Sequence, residues 1–296
     1  MIRPVDFKYN TQTADNNKFQ QASVQTNVQE QALQEFDGFV DRLRAEGVDV
    51  RVIDDTLQPE TPDSIFPNNW ISFHQDGQIV LYPMFSENRR AERRNDIIDS
   101  IKNQFSVQKT IDLSAFENRE QYLEGTGSMV LDREAKIAYA CLSQRTDAGV
   151  LNEFCSRTGY RAVLFHAQDA QGFPIYHTNV MMCVASHFSV VCLESIPDKA
   201  EQEMLIKSLT DKQKPVISID FMQMNHFAGN MLEVQNVDGE KLLVMSEQAY
   251  LSLRPDQVAA LSAHCRIVYA PLYTIEKNGG GSARCMLAEI HLPLHR

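Results

Sequence analysis

A chain of 296 residues with 43% hydrophobic content is long enough to bury a sizeable core, and no apolar run approaches the roughly 18 residues that span a bilayer. The net charge of −11 gives a surface that repels phosphate backbones, so nucleic acid is disfavoured as a partner. The six cysteines make no C-x-x-C pair, and Met1-Ile-Arg-Pro-Val-Asp6 lacks the basic and apolar regions of a signal peptide, so free thiols in a cytoplasmic protein are expected.

In chain order, Met1-Ile-Arg-Pro4 carries short strand material. From about Val28 to Glu46, Ala32, Phe36, Phe39, Val40 and Leu43 recur at helical spacing. A first apolar hairpin follows, Trp70–Phe73 and Ile79–Tyr82, with its turn at Asp76-Gly77. The helix-like segment Glu92 to Gln104 comes next, and the basic cluster Arg89, Arg90, Arg93 and Arg94 straddles its start. Helical periodicity assigns most of that cluster to a solvated face. The second hairpin is Ser128–Leu131 and Ile137–Cys141, followed by a helix over Asp147 to Arg157. The third is Val180–Val184 and Ser189–Leu193, followed by Asp198 to Leu209. The fourth is Met231–Val234 and Lys241–Met245, turning at Asp238-Gly239 and followed by Pro255 to His264. A fifth strand is predicted at Cys285–Ile290 without room for its partner, and the chain start is available to close the set.

The hairpins recur at about 50 to 57 residues, each with a helix behind it, which implies an α/β fold of repeated sheet-plus-helix units closed radially. No G-x-G-x-x-G follows the first strand, so a dinucleotide-binding parallel sheet is excluded. One domain spanning residues 1–296 is expected. The histidines His74, His166, His187, His264, His291 and His295 are scattered without paired ligand spacing, so no zinc site is read from them.

The stretch before each first hairpin strand is unusually polar. It holds Asp63 and Asn68-Asn69 in the first unit, Glu124-Gly-Thr-Gly127 in the second and His177-Thr-Asn179 in the third. The fourth holds Asn225-His226 and Gly229-Asn230, and the fifth Gly279-Gly-Gly-Ser-Ala-Arg-Cys285. Singly, such a histidine is a core residue more often than a catalyst, a Glu-Gly is usually a turn, and a late cysteine is usually core. Together they share one phase of a repeat, and equivalent positions in a ring of units converge on its axis. A carboxylate, an imidazole, several amides and a thiol are thereby predicted around one cavity.

These residues resemble a known superfamily. Leu123-Glu-Gly-x-Gly127, Tyr176-His-Thr-Asn179 and Gly279-Gly-Gly-Ser-x-x-Cys285 are similar to the three catalytic signatures of the guanidino-group-modifying enzymes. Those comprise arginine deiminases, dimethylarginine dimethylaminohydrolases and amidinotransferases, all with the five-bladed β/α propeller, or pentein, fold. Arg3-Pro4, Asn10, Gln12-Thr-Ala14, Asn17, Phe19-Gln20 and Phe66-Pro-Asn-Asn-Trp70 resemble more narrowly the citrulline-utilisation hydrolase (CtlX-type) branch.

The resemblance implies Cys285 as nucleophile, His177 as the proton carrier and Glu124 as the group that orients His177 or holds substrate N–H groups. Asp63, Asn68, Asn69, Arg89, Arg145 and Asn179 are the implied substrate-binding residues, the two arginines matching positions that hold an α-carboxylate. Deiminases place an acidic residue where Asn69 stands and carry H-x-D where this chain has His177-Thr-Asn179. A buried guanidinium deprived of its carboxylates loses charge pairing, whereas a neutral ureido group is matched by amides, which both donate and accept. The expected reaction is hydrolysis of citrulline to ornithine, carbon dioxide and ammonia. Arginine deimination, dimethylarginine hydrolysis and amidinotransfer are the alternatives within the superfamily, and a non-catalytic ribosome-binding pentein is the alternative outside enzymes. The implied partner is a small arginine-derived molecule, with no metal or organic cofactor and no membrane. A homo-oligomer is compatible with the sequence. Phe165 to Pro174, containing Gly172, is the segment expected to cover the cavity.

Overall fold

In the computed structural model, which describes residues 1–22 and 27–295, the strands form five small sheets, four of them built on the hairpins. The first pairs β1 (Ile2–Arg3) in parallel with β2 (Ile53–Asp54), so the chain start does contribute a strand. The other four share one plan, an antiparallel hairpin with a third strand added parallel to its second. They comprise β3 (Ile71–Phe73), β4 (Gln78–Leu81) and β5 (Lys109–Asp112), then β6 (Val130–Asp132), β7 (Ile137–Cys141) and β8 (Arg161–Phe165). The next sets are β9 (Met182–Val184), β10 (Ser189–Val191) and β11 (Val216–Ser218), then β12 (Leu232–Gln235), β13 (Lys241–Ser246) and β14 (Arg266–Ala270).

A parallel partner requires a crossover, which the intervening helix supplies. Two of these third strands escape the sequence pattern because they carry few inward residues: β11 buries none, whereas β8 and β14 each bury two alternate residues. In β5 only Ile111 is buried, opposite Val80, while Lys109, Thr110 and Asp112 face solvent. The helices match their periodicity more closely. Helix Val28–Ala45 buries Ala32, Phe36, Phe39, Val40 and Leu43 against β14 and the helix Tyr273–Gly279. Asp147 caps the helix Ala148–Thr158 through the Val150 N–H, and Gly159 ends it in the left-handed region. Asp198 caps Lys199–Thr210 in the same way.

Three sequence expectations fail, each for a local reason. Ser128, Val180 and Met181 lie in short helical turns, Gly125–Ser128 and Thr178–Met181, so β6 and β9 begin later than their apolar patterns. Cys285–Ile290 forms no strand. The backbone N–H groups of Cys285 and Met286 both turn back to the Ser282 carbonyl, spending the bonds a ladder needs. The basic cluster is not a solvated face. Arg89 is 2% exposed, Arg93 and Arg90 pair with Glu117, and Arg94 pairs with Asp96 and Asp55.

All six cysteines are free and buried. Among the described residues no helix is long and apolar enough to cross a membrane, and no group of three or more His, Cys, Asp or Glu side chains is arranged to hold a metal ion.

Candidate active site

The turns that displace the predicted strands also hold the candidate site residues. Glu124 and His177 stand at the N-cap positions of Gly125–Ser128 and Thr178–Met181, and Asn68 and Asn69 lie in the 3-10 turn Pro67–Asn69. The turns nest closely. Gly125 has φ +49, and a Cβ there would lie 2.2 Å from the Asn68 carbonyl oxygen. A Cβ on Gly127 would lie 2.4 Å from Asn69 Nδ2 and 2.8 Å from His177 Nδ1. Glycine at both positions is therefore a packing requirement.

Glu124 is fully buried. Its Oε2 lies 2.8 Å from His177 Nε2, and its Oε1 accepts the Phe85 N–H at 2.9 Å. Arg145 Nη1 approaches Oε2 to 3.4 Å and Arg89 Nη1 to 3.9 Å. Burial alone would push the Glu124 carboxyl up. Arg145, His177 and Arg89 together reverse that and hold it well below the usual carboxylate range. For His177, burial outweighs the pull of Glu124 and lowers the imidazole to about 4, so the ring is neutral near pH 7. With Nε2 engaged by Glu124, Nδ1 is the nitrogen left for proton transfer.

Cys285 and His177 line one narrow cavity together with Asp63, Phe66, Asn69, Arg89, Arg145 and Tyr176. Its volume is about 10 Å³, far below the roughly 300–1,000 Å³ of pockets for drug-sized ligands, so the site is nearly closed around its own side chains. A larger cavity, of about 670 Å³, opens among β6, β9, β12 and residues 287–291, and is lined by neither Cys285 nor His177. The smaller one brings Cys285 and His177 together.

Asn179 Nδ2 lies 3.3 Å from Cys285 Sγ. Arg89 forks onto Glu92 at 2.8 and 2.9 Å, and its Nη1 donates to Asn69 Oδ1 at 2.8 Å. Burial works against the Arg89 charge, but Glu92, Asp63 and Glu124 overcome it and raise the guanidinium above its ordinary value. Asn69 thus spends its oxygen on Arg89, and its Nδ2 donates to Asn68 Oδ1 at 3.1 Å, so it does not present both ends of its amide to a ligand. Arg145 is filled as well. Nε donates to Asn16 Oδ1 at 2.8 Å, Nη2 bonds the same oxygen and the Thr13 carbonyl, and the guanidinium stacks 5.0 Å from the Tyr176 ring centre. Asp63 Oδ2 accepts from Asn10 and Thr13, whereas Asp63 Oδ1, Asn68 Nδ2 and Asn179 Oδ1 are buried without a protein partner. Burial pushes the Asp63 carboxyl up against the pull of Arg89.

The cover over this cavity is not the predicted one. None of residues 165–174 lines it; Thr13 and Asn17 do. Asn17 Nδ2 reaches the carbonyls of Gly279 and Gly280, and Gln12 reaches Ser86 and Asn88. The polar residues of the N-terminal segment were visible in sequence, but their contacts lie up to 263 residues away. Asn230 was likewise visible as a polar residue before β12, and it reaches the Cys285 sulfur.

A buried thiol, a neutral imidazole and an anionic carboxylate beside two guanidinium groups define a guanidino-group-modifying type of site. The sequence profile of the N,N dimethylarginine dimethylhydrolase (eukaryotic) family matches residues 3–292, and the chain belongs to that family. No curated protein matches it. Among solved structures, ArgZ, an arginine dihydrolase from the ornithine-ammonia cycle in cyanobacteria, superposes with a TM-score of 0.76 at 16% identity, over 97% of this chain. The chain spans 39% of that full-length protein. The N-terminal domain of ArgZ, bound to product, gives a TM-score of 0.76 at 17% identity, covering 99% of this chain and 98% of the other. A dimethylarginine dimethylaminohydrolase carrying an adduct with S-methyl-L-thiocitrulline gives 0.63 at 14% identity, with 96% of both chains covered. At these identities the likeness is one of fold.

Proposed function

We propose that the five sheets are the blades of one pentein domain and that the chain is a cysteine hydrolase converting citrulline to ornithine, carbon dioxide and ammonia. The observation that carries the hydrolase reading is the shared cavity of Cys285 and a His177 already bonded to an anionic Glu124. In this mechanism Cys285 loses its proton to neutral His177 and its sulfur attacks the ureido carbon. The bond to the terminal nitrogen breaks, and that nitrogen leaves as ammonia with the proton returned by His177. Water then attacks the thiocarbamate, His177 takes its proton, and the C–S bond breaks. The released carbamate loses carbon dioxide to leave ornithine. Glu124 steadies the imidazolium that forms twice in the cycle. The α-carboxylate takes the place of Asn16 on Arg145, a fork suited to a carboxylate, and Arg89 holds Asn69 and Glu124 in place.

Support for the neutral substrate lies in the amides Asn69 and Asn179, which stand where deiminases carry acids, since a ureido group needs donors as well as acceptors. Of the buried unpartnered atoms, Asp63 Oδ1 belongs to a residue lining this cavity, whereas Asn179 lines the larger cavity and Asn68 neither. A guanidinium has only donors. A second reading is favoured by Asp63, whose free carboxylate oxygen belongs to a cavity-lining residue. It would pair with a cationic guanidinium, and the structural neighbours include an arginine dihydrolase. In that reading the same carbon is hydrolysed twice, from arginine through citrulline to ornithine.

Purified protein incubated separately with citrulline, arginine and dimethylarginine distinguishes these. Ornithine and ammonia from citrulline alone support the first reading. Ornithine from arginine supports the second, and citrulline accumulating from arginine or dimethylarginine overturns both.

A further inference from the structure

We infer that Asn230 is a positioning residue for Cys285, aiming and polarising its sulfur by N–H donation; the inference rests on Cys285 being the nucleophile. Asn230 occupies in the fourth unit the phase that Glu124 and His177 occupy in the second and third, and it is completely buried. Its Nδ2 donates to Cys285 Sγ at 3.3 Å and to the Asn179 carbonyl at 3.0 Å, and its Oδ1 accepts the Arg284 N–H at 3.0 Å. The Arg284 backbone N–H is an unambiguous donor, so the atom facing it is oxygen and the amino end is the nearer of the two to the sulfur; as a neutral thiol Cys285 also donates to that oxygen at 3.8 Å, a bond it gives up on losing its proton. One side chain thereby ties the residue before the nucleophile, the sulfur itself and the turn carrying His177 and Asn179.

The backbone around Asn230 is built for this placement. Gly229 packs against the same turn so closely that a Cβ would lie 2.3 Å from the Val180 carbonyl oxygen. Phe227 adopts φ +61, a left-handed conformation that costs a bulky residue, and its carbonyl accepts the Asn230 N–H at 2.8 Å. Phe227 is held there by burial against Phe19, ring centres 5.5 Å apart.

With Asn179 Nδ2 also at 3.3 Å, two amide N–H donors converge on the sulfur. A thiolate accepts both strongly, whereas a neutral thiol sulfur is a weak acceptor. The pair therefore favours the attacking form, and releases its hold once the sulfur is neutral in the covalent intermediate.

Asn230→Asp keeps the shape and the acceptor for the Arg284 N–H while replacing the donor at sulfur by an anionic oxygen. The test is the rate of iodoacetamide alkylation at Cys285, followed by peptide mass so that the other five cysteines are counted apart, with kcat and KM measured alongside. We expect alkylation and kcat to fall at least about tenfold with KM within about twofold. The alkylation deficit should close at high pH, where thiols ionise without help. Asn230→Ser, which loses the reach to sulfur, serves should the Asp chain not fold. Alkylation within twofold of wild type in the folded variant, or a deficit unaffected by pH, overturns the inference. Alkylation needs no substrate, so a failure of the hydrolase reading shows separately, as undiminished turnover in Cys285→Ala.

Discussion

Replacing Glu124 by Gln removes the charge behind His177 while keeping the shape. In the folded protein Glu124 Oε2 lies 3.4 Å from Arg145 and 3.9 Å from Arg89. At an effective dielectric of about 20, each contact is worth about 4 to 5 kcal/mol of attraction. Removing the carboxylate recovers its own desolvation cost of several kcal/mol, and Arg89 keeps its fork on Glu92. The net loss is then about 3 kcal/mol, at the low end for breaking a buried pair. At roughly 2 to 4 °C per kcal/mol for a large domain, Tm should fall by about 6 to 12 °C. Catalysis should fall further, because Gln can still bond Nε2 but cannot steady an imidazolium. A loss in kcat of about 10³ to 10⁴ is expected from the behaviour of a buried carboxylate behind a catalytic histidine. Thermal melts and steady-state kinetics on the same preparation read both quantities. A variant within tenfold of wild-type kcat would refute the role of Glu124, and an unchanged Tm would refute the electrostatic accounting.

Gly127→Ala places a Cβ against Asn69 Nδ2 and His177 Nδ1. It should cost about 1 to 3 kcal/mol in a melt and about 100-fold in kcat/KM through a displaced imidazole; full activity would mean that the His177 position is not critical. His177 supplies a pH signature. Its value falls from 6.5 in the unfolded chain to about 4 in the folded one, so between those limits the unfolded state binds the extra proton and folding is weakened as pH drops. That loss, about 3 kcal/mol by pH 4, is absent in His177→Asn. The stability gap between wild type and variant should therefore narrow from pH 7 to pH 4 in denaturant titrations, and a gap that widens would contradict the burial argument.

Much of this was legible in the residues. The helix Val28–Ala45 follows from a 3.6-residue apolar period, and the hairpins follow from apolar runs broken at turns such as Asp76-Gly77. The gathering of Glu124, His177 and Cys285 was readable because they share one phase of a repeat. What stayed hidden depends on distant partners. Arg93 looks solvated until Glu117, 24 residues on, closes over it, and the Asn69 amide looks free until Arg89 takes its oxygen. The third strand β5 was missed because a strand with one inward residue, Ile111, has no pattern. The strand predicted at Cys285 was lost because Ser282 receives two backbone N–H bonds there, from Cys285 and Met286, and so holds the segment in a turn.

The central claim, covalent catalysis through Cys285, is tested most directly by acid-quenching citrulline turnover and weighing the peptide that carries Cys285. A peptide heavier by citrulline less ammonia, absent in Cys285→Ala and lost on longer incubation as ornithine appears, is the predicted result. Ornithine formed without that adduct, or an adduct on any other cysteine, would contradict it.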